Sequence, residues 1–292
     1  MAGEHADRPH ADRTRQHPAR GLRGAVMTGV AATLAKARGE NRAALVGYLP
    51  VGFPDVQGSI EAMVAMVESG VDIVEIGVPY SDPLMDGPVI QHAAEAALQR
   101  GSRLSDVFTA VRAVADAGAP ALVMTYWNPV IRYGVDRFAG DLAAAAGAGL
   151  ITPDLIPDEA QEWMAAAESN DLDRVFLVAP SSTDARLRST LEACRGFVYA
   201  AAVMGVTGAR TSTSDAGRTL VTRVREVTDL PIGVGLGVSN GRQAAEVASY
   251  ADAVIVGSAI VAEVQRADSD LAALRAVTAL VEQLARGVRG EL

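Results

Sequence analysis

Eight short apolar runs, each followed by a longer amphipathic stretch, divide residues 44–286 and restrict this chain to folds built around a parallel sheet. The runs are 44–49, 71–77, 121–126, 149–152, 174–178, 196–201, 231–234 and 253–256. They are short and lack polar alternation, as strands buried on both faces require. Helical periods fall between them, at 57–69, 88–100 with 104–117, 135–147, 157–169, 184–194, 213–227, 241–249, and 258–264 with 268–286. Eight strand–helix units in ~250 residues match a closed (β/α)8 barrel. A doubly wound open sheet carries fewer strands and a glycine-rich first turn, whereas the first turn here reads Leu49-Pro50-Val51-Gly52-Phe53-Pro54. The expected fold is therefore α/β, a (β/α)8 TIM barrel with an extra N-terminal helix opened by Met27 and carrying Val30 and Leu34. Residues 27–292 read as one domain. Residues 1–26 alternate Arg, His, Asp, Pro and Ala with no apolar period and read as a disordered tail.

In a barrel, chemistry belongs at the C-terminal strand ends and the loops after them. Glu75 interrupts the second apolar run, Val71-Asp72-Ile73-Val74-Glu75-Ile76-Gly77-Val78. Strand side chains alternate, so Ile73, Glu75 and Gly77 share a face. The helix-facing side must be apolar, which turns Glu75 into the barrel near its mouth. Burial there raises a carboxyl pKa toward neutrality and suits it to proton transfer. The structural alternative is an ion pair with an arginine, but the adjacent runs offer only Arg174, at a strand start. Asp86 follows in a loop with three prolines between Pro79 and Pro88. The segment Asp86-Gly87-Pro88 equally reads as a helix start with Asp86 as its cap, and spacing alone does not choose between cap and catalyst.

The sixth run leads into Val203-Met204-Gly205-Val206-Thr207-Gly208-Ala209-Arg210, which reads either as a lid or as a plain loop. The last two runs end in Gly233-Val234-Gly235-Leu236-Gly237 and in Gly257-Ser258 at a helix start. Glycines admit backbone N–H groups to an anion, a helix N-terminus adds its positive dipole end, and these two loops hold phosphate in phosphate-binding barrels. A phosphorylated metabolite is the expected ligand.

Composition then removes mechanisms. Lys36, the only lysine, precedes the first strand, so no lysine stands at a strand end for a Schiff base. His92 is the only histidine after residue 17 and falls in a helical stretch, which argues against both a zinc site and a nucleophile–histidine pair, and no metal is expected. A net charge of −9 argues against nucleic acid as a partner. One cysteine, no apolar run of membrane-spanning length and no secretory h-region lead to the expectation of a cytoplasmic protein without a membrane partner. Carboxylate acid–base chemistry survives, and for any C–C cleavage the substrate itself must accept the electrons.

The run Glu75-Ile76-Gly77-Val78-Pro79-Tyr80-Ser81-Asp82-Pro83-Leu84-Met85-Asp86-Gly87-Pro88 closely resembles the signature of the tryptophan synthase α subunits. So do Gly205-Val206-Thr207-Gly208, Gly235-Leu236-Gly237 and Val256-Gly257-Ser258-Ala259-Ile260, in order and at family spacing from about Ala44 to Ile260. Val178-Ala179-Pro180-Ser181-Ser182 and Tyr199-Ala200-Ala201-Ala202-Val203-Met204-Gly205 resemble the actinobacterial branch. The resemblance implies retro-aldol cleavage of indole-3-glycerol phosphate to indole and glyceraldehyde 3-phosphate, with no cofactor in this subunit. It implies Glu75 as general acid/base and Asp86 as the carboxylate on the indole N–H. Tyr48, Tyr199 and Thr207 would line the substrate site, and Gly208, Gly235, Gly237, Gly257 and Ser258 would hold phosphate. It also implies a pyridoxal-phosphate β subunit as partner in an α2β2 assembly, met through Pro79, Asp82, Asn128, Asp154 and Pro157. Ala202-Val203-Met204 departs from the Ser and Arg of better-known bacterial members, so lid contacts do not carry over. The other readings weighed are a free-standing indole-releasing lyase and a silent phosphate-binding barrel.

Overall fold

The computed structural model describes Met1, residues 29–201 and residues 213–292. The expected tail, the expected helix start at Met27, and Thr207 and Gly208 lie outside the described residues. The first half of the chain forms α1 (Val30–Gly39), β1 (Ala44–Pro50), α2 (Val56–Glu68), β2 (Ile73–Gly77), α3 (Pro88–Gln99), α4 (Asp106–Asp116), β3 (Ala121–Met124), α5 (Trp127–Tyr133), α6 (Val135–Ala144) and β4 (Gly149–Thr152). A 3-10 turn at Pro157–Glu159 leads to α7 (Gln161–Ser169), β5 (Asp173–Val178), α8 (Asp184–Ala193) and β6 (Val198–Ala201). The chain closes with α9 (Thr213–Arg225), β7 (Ile232–Gly235), α10 (Gly241–Ala248), β8 (Ala253–Val256), α11 (Ser258–Arg266) and α12 (Asp270–Val288). All eight strands are parallel, and β1 pairs with both β2 and β8, which closes the barrel.

Two cores follow from strand alternation. Val46, Ile73, Leu122, Ile151, Val175, Phe197 and Ile255 fill the barrel interior, while their neighbours Leu45, Val74, Val123, Leu150, Phe176, Val198 and Val254 pack under the helices. The extra helix α1 belongs to the interior core. Its Val30, Leu34 and Ala37 are buried with the strand residues and plug the N-terminal end of the barrel. Complete burial of Val30 and near-complete burial of Leu34 contribute roughly 1.5–3 kcal/mol each.

Several boundaries differ from the sequence reading. β2 begins at Ile73 and not at residue 71, and β3 ends at Met124 and not at residue 126. The expected helix over 157–169 is broken at Ala160 into the 3-10 turn and α7. α5 was not foreseen. It has seven residues, carries Pro129 in its first turn, and ends at Gly134, whose φ of 97° is one that only glycine adopts freely. Among the described residues, no helix is long and apolar enough to cross a membrane.

Candidate active site

Glu75 lies two residues beyond Ile73 on the interior face of β2, in register with Tyr48 on β1 and Leu122 on β3. It is 1% exposed and, among the described residues, takes part in no ion pair. Its Oε2 is buried without a hydrogen-bond partner. A carboxylate so placed is costly to ionise. Burial first, and the nearby charge of Asp86 second, raise the Glu75 pKa to about 8. The carboxyl group is therefore mostly protonated at neutral pH.

Asp86 enters the same cavity from the loop after β2. The residue capping α3 is Gly87, with Pro88 following, and that helix start has no side-chain cap. This resolves the ambiguity left by spacing: the Asp86 carboxylate is not spent on the helix, while its backbone carbonyl accepts a 2.7 Å bond from Gln91 Nε2. Partial burial raises the Asp86 pKa, and a hydrogen bond from Tyr126 opposes that rise. The charge of Asp86 in turn resists ionisation of Glu75. A proton donor and a second carboxyl group thus share one cavity, a pairing that acid–base chemistry at neutral pH uses.

The cavity measures about 280 Å³. Tyr48, Glu75, Asp86, Tyr199, Gly235, Gly237, Gly257 and Ser258 all line it. All eight described residues expected in the substrate site are thus brought together. Burial, with Glu75 nearby, pushes both tyrosine hydroxyls well above their ordinary pKa, so they remain neutral hydrogen-bonding groups. Two of the glycines have a reason beyond the expected one. A Cβ on Gly235 would lie 2.9 Å from the Tyr199 hydroxyl, and one on Gly257 would lie 3.2 Å from the Tyr48 ring. These positions make room for aromatic rings. Gly237 differs: its φ is +69° and its Cβ position faces open space. Ser258 is the first residue of α11, whose N-terminal N–H groups have no side-chain cap.

The residues expected to face a partner lie in the segments that follow β2, β3 and β4. Asp82, Asn128 and Asp154 are exposed and Pro157 partly so, but Pro79 is buried and presents no free surface. The reason is its position two residues beyond β2, where Val78 still hydrogen-bonds to the carbonyl of Met124. Sequence reasoning missed Tyr126, Met124, Leu177 and Ile255. The last three line the cavity from strand ends, and strand alternation from Leu122, Val175 and Ala253 could have found the inward set. No local signal marks Tyr126, whose hydroxyl accepts backbone N–H groups more than 40 residues away in sequence.

The family model for the tryptophan synthase alpha chain matches residues 34–289. A tryptophan synthase alpha chain from Mycobacteroides abscessus is 62% identical over 254 residues, covering 87% of this chain and 95% of that protein. One from Nocardia farcinica is 62% identical over 260 residues, covering 89% and 96%. Among solved structures, a Mycobacterium tuberculosis tryptophan synthase superposes with a TM-score of 0.83 at 59% identity, covering 89% of this chain and 98% of that one. The alpha subunit from Legionella pneumophila reaches a TM-score of 0.82 at 30% identity, over 90% and 99%. This chain belongs to the tryptophan synthase alpha chain family.

Proposed function

We propose that the chain cleaves indole-3-glycerol phosphate to indole and glyceraldehyde 3-phosphate, with Glu75 as the general acid and base. The observation that carries this reading is a buried, protonated Glu75 facing a cavity it shares with the Asp86 carboxylate. Glu75 gives its proton to indole C3, and the ring becomes an indoleninium cation. Asp86 accepts a hydrogen bond from the ring N–H and offsets the positive charge there. The ionised Glu75 then takes the proton of the hydroxyl on the adjoining side-chain carbon. That carbon becomes the aldehyde carbon, the C–C bond to C3 breaks, and its electrons restore the neutral indole. No lysine, metal or cofactor of this chain is asked for, because the protonated ring is the electron sink.

The glycine-lined wall takes the phosphate. Gly237, Gly257, Ser258 and the N-terminus of α11 supply backbone N–H groups and the positive end of a helix dipole. Tyr48 and Tyr199 flank the ring, and Thr207 and Gly208 join the site on the strength of the family resemblance. The partner is a tryptophan synthase β subunit that carries pyridoxal phosphate, in an α2β2 assembly, and the pair works in the cytoplasm. Asp82, Asn128, Asp154 and Pro157 form the face that meets it. Exposed Leu84, Ile131 and Ile156 in the same segments support an apolar docking surface there.

The purified chain tests the reading directly. Indole release from indole-3-glycerol phosphate is expected, with faster turnover when β subunit is added. Glu75→Gln should lower turnover at least ~100-fold. Near-normal turnover in that variant rejects the mechanism. Turnover indifferent to β subunit, with no complex on sizing, gives instead a free-standing lyase. Ligand binding without cleavage leaves the silent phosphate-binding barrel.

A further inference from the structure

Asp86 does its work only if the loop that carries it stays in one place, and that loop has little packing of its own. Leu84 is 78% exposed and Met85 55%. What holds them is the hydroxyl of Tyr126, a residue 4% exposed just before α5. This oxygen accepts the N–H groups of Leu84 at 3.1 Å and Met85 at 2.9 Å, and it works against the rise in the Asp86 pKa. Both lone pairs of the hydroxyl are thus taken by backbone donors of that loop.

Tyr126 is in turn held from two sides. Its ring packs against Tyr80 with centroids 5.2 Å apart, and the Tyr80 hydroxyl accepts a 3.2 Å bond from Asn128 Nδ2. The next amide along the chain, Trp127 N–H, is the first of α5 and lacks a cap from the helix's own flanking residue. The Asp154 carboxylate supplies it from the loop after the neighbouring strand β4, with oxygens at 2.9 and 3.2 Å. We propose that Tyr126 and Asp154 are positioning residues for Asp86: Asp154 fixes the start of α5, this fixes Tyr126, and the Tyr126 hydroxyl clamps residues 84–86 at the cavity. The proposal rests on the functional reading above and deepens it, because Asn128 and Asp154 of the proposed partner face then connect to Asp86 through a continuous set of hydrogen bonds and one ring contact.

The test uses the full chain as wild type, Tyr126→Phe, Asp154→Ala and Asp154→Asn. Two quantities are read: kcat and KM for indole release, and hydrogen exchange of the Leu84 and Met85 amides. Phe removes one oxygen and leaves the ring contact. It should lower kcat about tenfold or more with KM within about threefold, since misplacing a catalytic group by ~1 Å can cost ~100-fold. Both amides should exchange faster. Asp154→Ala should move both readouts the same way, and Asp154→Asn, which keeps an oxygen for the Trp127 N–H, should move them clearly less. Wild-type kcat and exchange in Tyr126→Phe overturn the proposal, as do equal effects of Ala and Asn at Asp154. If the wild-type chain releases no indole, the functional reading fails and the exchange measurement alone decides the clamp.

Discussion

Glu75 shows how far one residue can be read from its neighbours. Its inward direction follows from strand parity, and its burial follows from that direction. Its proton affinity has a consequence for stability. The folded chain holds this proton up to a pH of about 8, whereas an ordinary glutamic acid in the unfolded chain releases it near 4.5. Between those values the folded state binds more protons than the unfolded state. Glu75 therefore takes stability away as pH rises through this window, and no further above it. Glu75→Gln removes the dependence while keeping the shape. The melting temperature of the variant minus that of the wild type should increase from pH 5 to pH 8 and then level off. A difference that stays constant over this range rejects the raised pKa. Asp86 was less legible. Cap and catalyst use the same residue type at the same spacing, and the cap reading is removed by where the α3 helix starts, at Pro88 behind a glycine cap.

Strands were legible as elements because a strand buried on both faces leaves an unbroken apolar run. All eight appeared within two residues of their expected ends. α5 was not legible, because it is short and begins on a side-chain acceptor from another loop, Asp154, 27 residues along the chain. Sequence periodicity carries no trace of such a contact. Glycines divide in the same way. Gly77 ends β2, and a Cβ there would collide with the Tyr48 hydroxyl on the next strand. Gly77→Ala should destabilise the chain by about 1–3 kcal/mol through overpacking and push Tyr48 out of the cavity wall. Denaturant unfolding and KM for the substrate check it. Unchanged values in both mean that the wall yields without cost.

At the scale of the whole molecule, the two ends of the barrel carry different duties. The C-terminal end holds the cavity, and the N-terminal end holds the plug α1 and a clasp between strand starts. In that clasp Arg42 reaches Asp72 with two nitrogens, at 2.7 and 2.8 Å, and Asp72 also accepts the N–H of Leu45 at 2.8 Å. The pair is largely buried, with side chains 9% and 13% exposed. Arg42→Ala strands a carboxylate and should cost roughly 3 kcal/mol. At 25 °C the folded fraction should keep its turnover, because the change lies at the opposite end from the cavity. Calorimetry and an activity assay together check this; a large loss of turnover without loss of stability contradicts the separation. By itself the sequence determined the strand count, the inward face of β2 and the pairing of acid with glycine loops, since all three rest on alternation and local backbone preference. Only the tertiary structure decided that Asp86 is free of the helix cap, that Gly77, Gly235 and Gly257 make room for tyrosine rings, and that the Tyr126 hydroxyl holds the loop carrying Asp86. Those depend on atoms far apart in the chain, which closure of the barrel alone brings into contact.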